Sequence, residues 1–287
     1  MSINKNGDIW LADDCINEKE SYKFIRDTFN APVRNHGKGA KLYTEIEFYN
    51  ELGEKIETLH NELLLTGGLF TLSKISGVNP PIKPITVNQQ LSVNVNETAT
   101  SYTGPRREDV ICGFMVGIDG CTDVFDTVGT VYYKDRTIYS PVPFRKVEIT
   151  DDLSSSDRSM YHLKVQAGNY YEYYLKGFET TPVIKAEYDE VGNPAVPANA
   201  DEQDKDKIIN TYLQYTLKIN SEDVRDWFKI SGGGLKKARI NTLGLVHGYL
   251  DANGDFKGVN MFSRLNFNNE PFDNETKELT VIYKIYI

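Results

Sequence analysis

The chain has 287 residues, 40 % hydrophobic and 25 % charged, enough for one large β domain or two modest ones of ordinary globular composition. Its 32 basic and 41 acidic side chains leave a formal charge of −9. That balance argues against nucleic-acid binding, which needs clustered Lys and Arg, and suits solubility or a face that meets a basic partner. No stretch approaches the roughly 18 apolar residues that span a bilayer, and no basic start followed by an apolar run marks a signal peptide. A soluble protein without membrane contact is expected.

Residues 1–40 are polar and broken by Gly7, Pro32, Gly37 and Gly39, and read as an N-terminal arm. Tyr22, Ile25 and Phe29 fall at helical spacing within it, so a short helix over 17–29 is expected. Residues 41–287 then read as a single β-rich domain. In its first part Leu42, Thr44, Ile46 and Phe48 alternate with polar residues, Gly53 sits in a turn, and Ile56, Thr58 and His60 resume the alternation. Glycine costs a helix about 1 kcal/mol and helps a turn, so a hairpin is expected here. A short helix over 62–75, interrupted at Gly67-Gly68, follows.

Pro80, Pro81 and Pro84 force an extended stretch. Leu91, Val93 and Val95 alternate as a strand, and 110–118 is an apolar run whose Gly113 and Gly117 point to a buried, closely approached strand. Residues 128–133 and 137–139 flank Lys134-Asp135-Arg136 as a hairpin or short excursion. The run from Met160 to Phe178 carries Tyr170, Tyr171, Tyr173 and Tyr174 on both faces, which predicts cover on both sides. Residues 187–206 hold seven acidic side chains and one lysine, with few large apolar ones, and predict an exposed acidic loop at 187–207. After a strand at 212–219, Ser221 is placed as an N-cap, with Glu222 and Asp223 in the first turn of a helix through Trp227-Phe228. Ser231-Gly232-Gly233-Gly234 reads as a flexible joint.

The last stretch, 239–287, reads as a β-meander: Leu243, Leu245 and Tyr249; a turn at Asp251-Ala252-Asn253-Gly254-Asp255; Met261, Leu265 and Phe267; a second turn around Asn268-Asn269-Glu270-Pro271; and a final strand. In that strand Leu279, Val281, Tyr283, Ile285 and Ile287 share one face by the two-residue period, so it should lie inside a sheet. Together these runs predict a mostly β fold: an antiparallel sandwich or barrel with a few short helices and extended arms and loops.

Motifs for chemistry are weak. Asp251–Asp255 lacks the glycine and glutamate of a calcium loop, since Phe256 and Phe262 stand in those places. Asp119, Asp123 and Asp126 fit a solvated turn better than a cation site. Ser231–Lys237 does not match a phosphate loop. The four histidines, His36, His60, His162 and His247, have no second His or Cys at ligand spacing. Cys15, Cys112 and Cys121 form an odd set, best read as reduced thiols, with a Cys112–Cys121 bridge as the alternative. No catalytic, cofactor-binding or metal residue is assigned, and no enzyme activity is expected. The 18 tyrosines, against 13 Phe and 2 Trp, suit strands and wet protein interfaces.

Certain phrases resemble virion structural proteins of tailed bacteriophages. They are the hairpin region His60-Asn61-Glu62 through Gly67-Gly68, Val142-Pro143-Phe144-Arg145, and the closing "INTLGLVHG…FSRLNF…LTVIYKIYI" from Ile240 to Ile287. The resemblance covers about half the chain and supplies no catalytic residue. It implies a β-rich, homo-oligomeric ring subunit of the virion, placed in the neck as a head-to-tail connector. Its partners would be copies of itself and other virion structural proteins, portal or adaptor, tail or baseplate. A tail or baseplate subunit, and a host-facing fibre or decoration protein that binds capsid or glycan, are the alternatives.

Overall fold

A computed structural model describes residues 2–3, 9–10, 43–77, 87, 91, 109–122, 127–132, 137–186, 211–252 and 256–286. The fold is mostly β, antiparallel, with two α-helices among the described residues. A two-residue pair, β1 (Ser2–Ile3) and β2 (Ile9–Trp10), lies near the start. The hairpin expected after residue 41 is present as β3 (Tyr43–Tyr49) and β4 (Lys55–Leu59). Asn50 closes its turn: its side-chain Oδ1 accepts from the N–H groups of Leu52 and Glu54.

β5 (Glu62–Leu63) leads into α1 (Leu65–Ser76), which is not interrupted at its glycines. Gly68 N–H bonds the Leu64 carbonyl. A Cβ on Gly67 would stand 1.9 Å from the Phe262 carbonyl oxygen, so this glycine lets the helix rest directly on a strand backbone. The 110–118 run is β6 (Val110–Gly117). β7 (Cys121–Thr122) pairs with β8 (Thr127–Val128), so Val128 finds its partner behind it in sequence rather than at 137–139. β9 (Pro141–Val142) and β10 (Arg145–Glu148) follow. The tyrosine-rich run is not one strand but a hairpin, β11 (Tyr161–Ala167) and β12 (Tyr170–Lys176), reversed through Gly168 at φ 62°. Of its tyrosines only Tyr173 is fully buried; Tyr170, Tyr171 and Tyr174 are half-buried.

β13 (Val183–Ala186), β14 (Thr211–Asn220), α2 (Glu222–Ile230), β15 (Arg239–Leu250), β16 (Phe256–Pro271) and β17 (Glu278–Tyr286) complete the chain. Here the meander expectation fails. β15 and β16 form a hairpin in one sheet, but β17 crosses to the other. The second turn also lies later than expected, because β16 runs through Asn268-Asn269-Glu270 to Pro271, and Phe272 N–H then bonds the Ala238 carbonyl.

The larger sheet has eight strands in the path β10-β12-β6-β15-β16-β5, with β11 joined to β12 and β9 to β6; the smaller runs β13-β14-β17-β3-β4. Their facing sides share one core: Ile46 and Phe48, Leu217 and Ile219, Val281 and Tyr283 from the smaller sheet meet Phe114, Leu243, Leu245, Phe262 and Phe267 from the larger. The larger sheet is apolar on its other face too, where Cys112, Met115, Val246, Val259 and Met261 cluster with Leu163 and Leu175. Burial on both faces explains the unbroken apolar run in β6. β17, covered on one face, alternates buried and half-buried residues along its length. Leu279, Val281, Tyr283 and Ile285 point to the core as the period predicted, and the strand lies mid-sheet between β14 and β3.

Candidate interaction surfaces

Three surfaces stand out. The first is the smaller sheet. Its outer face carries Lys284 between two carboxylates, 2.8 Å from Glu45 and 2.9 Å from Glu47, and Lys55 reaches Glu47 at 2.5 Å. Burial alone would raise the Glu47 carboxyl; hydrogen bonds from the Lys55 and Lys284 ammonium groups outweigh it and hold the group below the usual carboxylate range. Tyr212 and Tyr286 sit side by side on the same face, ring centroids 4.9 Å apart. The sheet's two outer strands among the described residues are β13 and β4. Ile285, Leu213 and Ile184 are cross-strand partners in one row. Ile285 is buried, Leu213 half-buried and Ile184 75 % exposed. The core side of the sheet therefore runs out beyond the larger sheet at β13.

The second surface is α1, whose Phe70 packs inward on Phe262 and on the imidazole of His247. Its outward side presents Leu72 and Ile75, one helical turn apart, with Ile75 79 % exposed.

The third is the entrance of α2. Ser221 does not cap this helix; its hydroxyl donates to the Glu275 carbonyl instead. Asp223 (ψ 144°) and Val224 (φ 60°) depart from helical geometry. A β-branched residue at positive φ is strained by about 1–3 kcal/mol. Val224 is held there by an N–H bond to the Phe144 carbonyl and by full burial. The twist turns Asp223 inward. Its carboxylate accepts from Lys176 Nζ at 2.8 Å, Tyr161 OH at 2.8 Å and Asn220 N–H at 2.9 Å. Lys176 also donates to the Lys218 carbonyl and lies 3.3 Å from Glu179. Burial and the Asp223 charge push the Tyr161 phenol well above its ordinary range. Lys146 is settled in the same way, 2.6 Å from Glu172 and 2.8 Å from Ser231 Oγ.

The opposite side of α2 is open. Arg145, Arg225 and Lys229 line a cleft of about 500 Å³ together with Glu222, Asp226 and Glu275. Its ion pairs are long: Arg145 to Asp226 at 3.8 Å, Arg225 to Glu275 at 3.6 Å, Lys229 to Asp226 at 3.7 Å. All exceed hydrogen-bond reach. Arg225 has a side chain only 7 % exposed, whereas Glu275 is 85 % exposed. The Nε groups of Arg145 and Arg225 are buried and make no hydrogen bond.

The residues weighed for chemistry scatter. His60 Nδ1 contacts the Thr44 carbonyl, and His162 Nε2 the Ser159 carbonyl. His247 is fully buried against Phe70; burial, helped by the Lys74 charge, lowers its pKa to about 3, so the ring is neutral. Cys112 and Cys121 are not bridged; Cys121 Sγ–H donates to the Phe267 carbonyl, and burial pushes the Cys112 thiol far up. Leu250 pairs with Phe256 across the Asp251 turn, a hairpin as expected. The Ser231–Gly234 segment is no loose joint: Ser231 and Gly232 N–H groups bond the Trp227 carbonyl and Gly234 N–H the Phe228 carbonyl, closing α2. The helix expected at 17–29, the strand at 89–98, the acidic loop at 187–207, Asp123, Asp126, Cys15, His36 and Ile287 lie outside the described residues, apart from Leu91. Among the described residues no group of three or more His, Cys, Asp or Glu converges as a metal site, and no helix is long and apolar enough to cross a membrane.

The α2 cleft had no sequence signal: Arg225 and Lys229 look like solvated helix charges, and nothing in the spacing joins them to Arg145. Buried arginine became visible only with the packing of α2 on β10. No family model, curated protein or solved structure matches the chain.

Proposed function

We propose that the protein is a structural subunit of a tailed-phage particle, a ring-forming connector in the neck that works through protein–protein interfaces. It acts in the virion, bound to copies of itself and to other virion structural proteins, portal or adaptor on one side and tail subunits on the other. The observation that supports this best is the open end of the smaller sheet. The row Ile285, Leu213, Ile184 leaves the core and ends in an exposed apolar residue on an edge strand. Such an edge invites another chain to pair with it unless it is blunted or covered.

All neighbours in this sheet are antiparallel, so the two edges, β13 and β4, run in the same sense. A β13 edge meeting the β4 edge of the next copy is a heterologous contact, and repeated about an axis it closes a ring. The exposed Leu72 and Ile75 of α1 and the Tyr212–Tyr286 pair add contact area of the aromatic and aliphatic kind that interfaces favour.

Electron microscopy of the purified protein and of its native particle tests the reading. Closed rings are expected, with density for this chain at the head-to-tail junction. Ile184→Asp is expected to fold with unchanged circular dichroism and to remain monomeric. A wild-type chain that stays monomeric at tens of micromolar and is absent from the particle overturns the proposal.

A further inference from the structure

We propose that the cleft beside α2 is a binding site for a single carboxylate group, held by Arg225 and Arg145. The inference goes beyond the assembly reading and stands on different residues.

A guanidinium is always charged and costs several kcal/mol to bury unless its donors are met. Arg225 is more than nine-tenths buried, lines the cleft, and leaves its Nε–H without an acceptor. Its one ion pair among the described residues is to Glu275, at a distance too long for a hydrogen bond. Arg145 stands on the facing strand with its side chain 22 % exposed and its guanidinium over the Tyr161 ring; its Nε is buried and makes no hydrogen bond, and Asp226 is 3.8 Å away. Two guanidinium groups on one cleft, each with an idle Nε–H, fit a planar carboxylate, which accepts parallel N–H bonds from such a group.

The charge count selects the ligand. The three cations of the cleft are matched by Glu222, Asp226 and Glu275, so there is no excess positive field to draw a phosphate chain or a polyanion. A single carboxylate can exchange with Glu275 and leave the balance unchanged. Glu275 suits the part of a resident competitor. It is mostly exposed, and the Ser221 hydroxyl bonding its carbonyl tethers its backbone at the cleft mouth. An exposed pair of this kind is weak and is displaced at little cost. The incoming carboxylate has two sources, an Asp or Glu presented by a neighbouring copy or a small free acid, and the chemistry of recognition is the same.

The test titrates the full chain with glutarate and follows the arginine side-chain Nε–H signals by NMR. A saturable shift of the Arg225 and Arg145 signals is expected. Glu275→Gln, which removes the competitor, is expected to tighten glutarate binding about two- to fivefold. Arg225→Gln is expected to abolish it. Should Arg225→Gln fail to fold, Arg145→Gln carries the test and is expected to weaken binding about tenfold or more. No saturable shift, or affinities unchanged in Glu275→Gln and in the arginine variants, overturns the proposal. Sedimentation with and without glutarate separates the sources. Dissociation of an oligomer assigns the carboxylate to a neighbouring copy, and an unchanged mass assigns it to a free small acid; both outcomes keep the site.

Discussion

Lys176 and Arg225 flank the same helix entrance, are both buried, and have opposite fates. Lys176 is closed off inside the protein: Asp223 at 2.8 Å, the Lys218 carbonyl at 2.8 Å, Glu179 at 3.3 Å. Arg225 has one distant, solvent-facing carboxylate and an idle Nε–H. The difference originates in two residues of backbone. The non-helical Asp223 and Val224 turn the Asp223 carboxylate inward to Lys176, and the helix resumes with Arg225 facing the cleft. A buried charge whose donors are all met is part of the scaffold. A buried charge left partly unmet is available to a partner. His247 shows a third solution, since a buried base with no hydrogen bond escapes the problem by staying neutral.

The comparison can be broken most forcefully at Lys176. Lys176→Met leaves the Asp223 charge buried without its counterion and is expected to cost about 3–5 kcal/mol in urea unfolding. Lys176→Met combined with Asp223→Asn should lose less than the single change. A double variant that loses more would show that the pair is worth more than its charges. Tyr161→Phe removes one hydrogen bond to the same carboxylate and should cost about 1.5–3 kcal/mol by the same measurement.

At His247 the lever is pH. The folded pKa is about 3, below the ordinary imidazole value of 6.5, because the ring is buried. Stability from the neutral ring is therefore fully present above pH 6.5 and drains away as pH falls toward 3, because the unfolded state binds the proton first. The wild-type loss should approach about 1.4 kcal/mol per pH unit from this group alone. His247→Phe, which keeps a ring against Phe70, should flatten that part of the pH–stability curve, and a curve parallel to wild type would sink the assignment. The smallest effect is expected at Lys218, whose pair with Glu278 is 3.9 Å long and well exposed on both sides. Lys218→Gln should change stability by less than about 0.5 kcal/mol, marking the baseline against which the buried sites are read.

Much of the architecture was legible. The two-residue period in β3, β14 and β17 predicts which side chains face the core, because in a strand the face alternates whatever the partner is. The apolar run of β6 announces cover on both sides, and Gly113 and Gly117 announce close approach: Cβ atoms there would meet the Lys176 carbonyl at 2.4 Å and the Tyr139 carbonyl at 2.8 Å. Gly67-Gly68 misled for the same reason. A glycine read as a break in a helix was the point where the helix touches a strand, and local propensity cannot tell the two apart.

The amino-acid order alone decided faces, turns and class: alternation writes burial into each strand one residue at a time, and Asn50, Gly53 and Gly168 bend the chain by local chemistry. Partnership was decided only in three dimensions. Nothing in Leu279–Ile285 tells whether that strand joins β16 or crosses to lie between β14 and β3, since the period fixes a side chain's direction and not its neighbour. Nor does Arg225 differ from Lys229 on paper. Which charge is buried, and which of the buried charges is left unmet, follows from how α2 settles on the sheets.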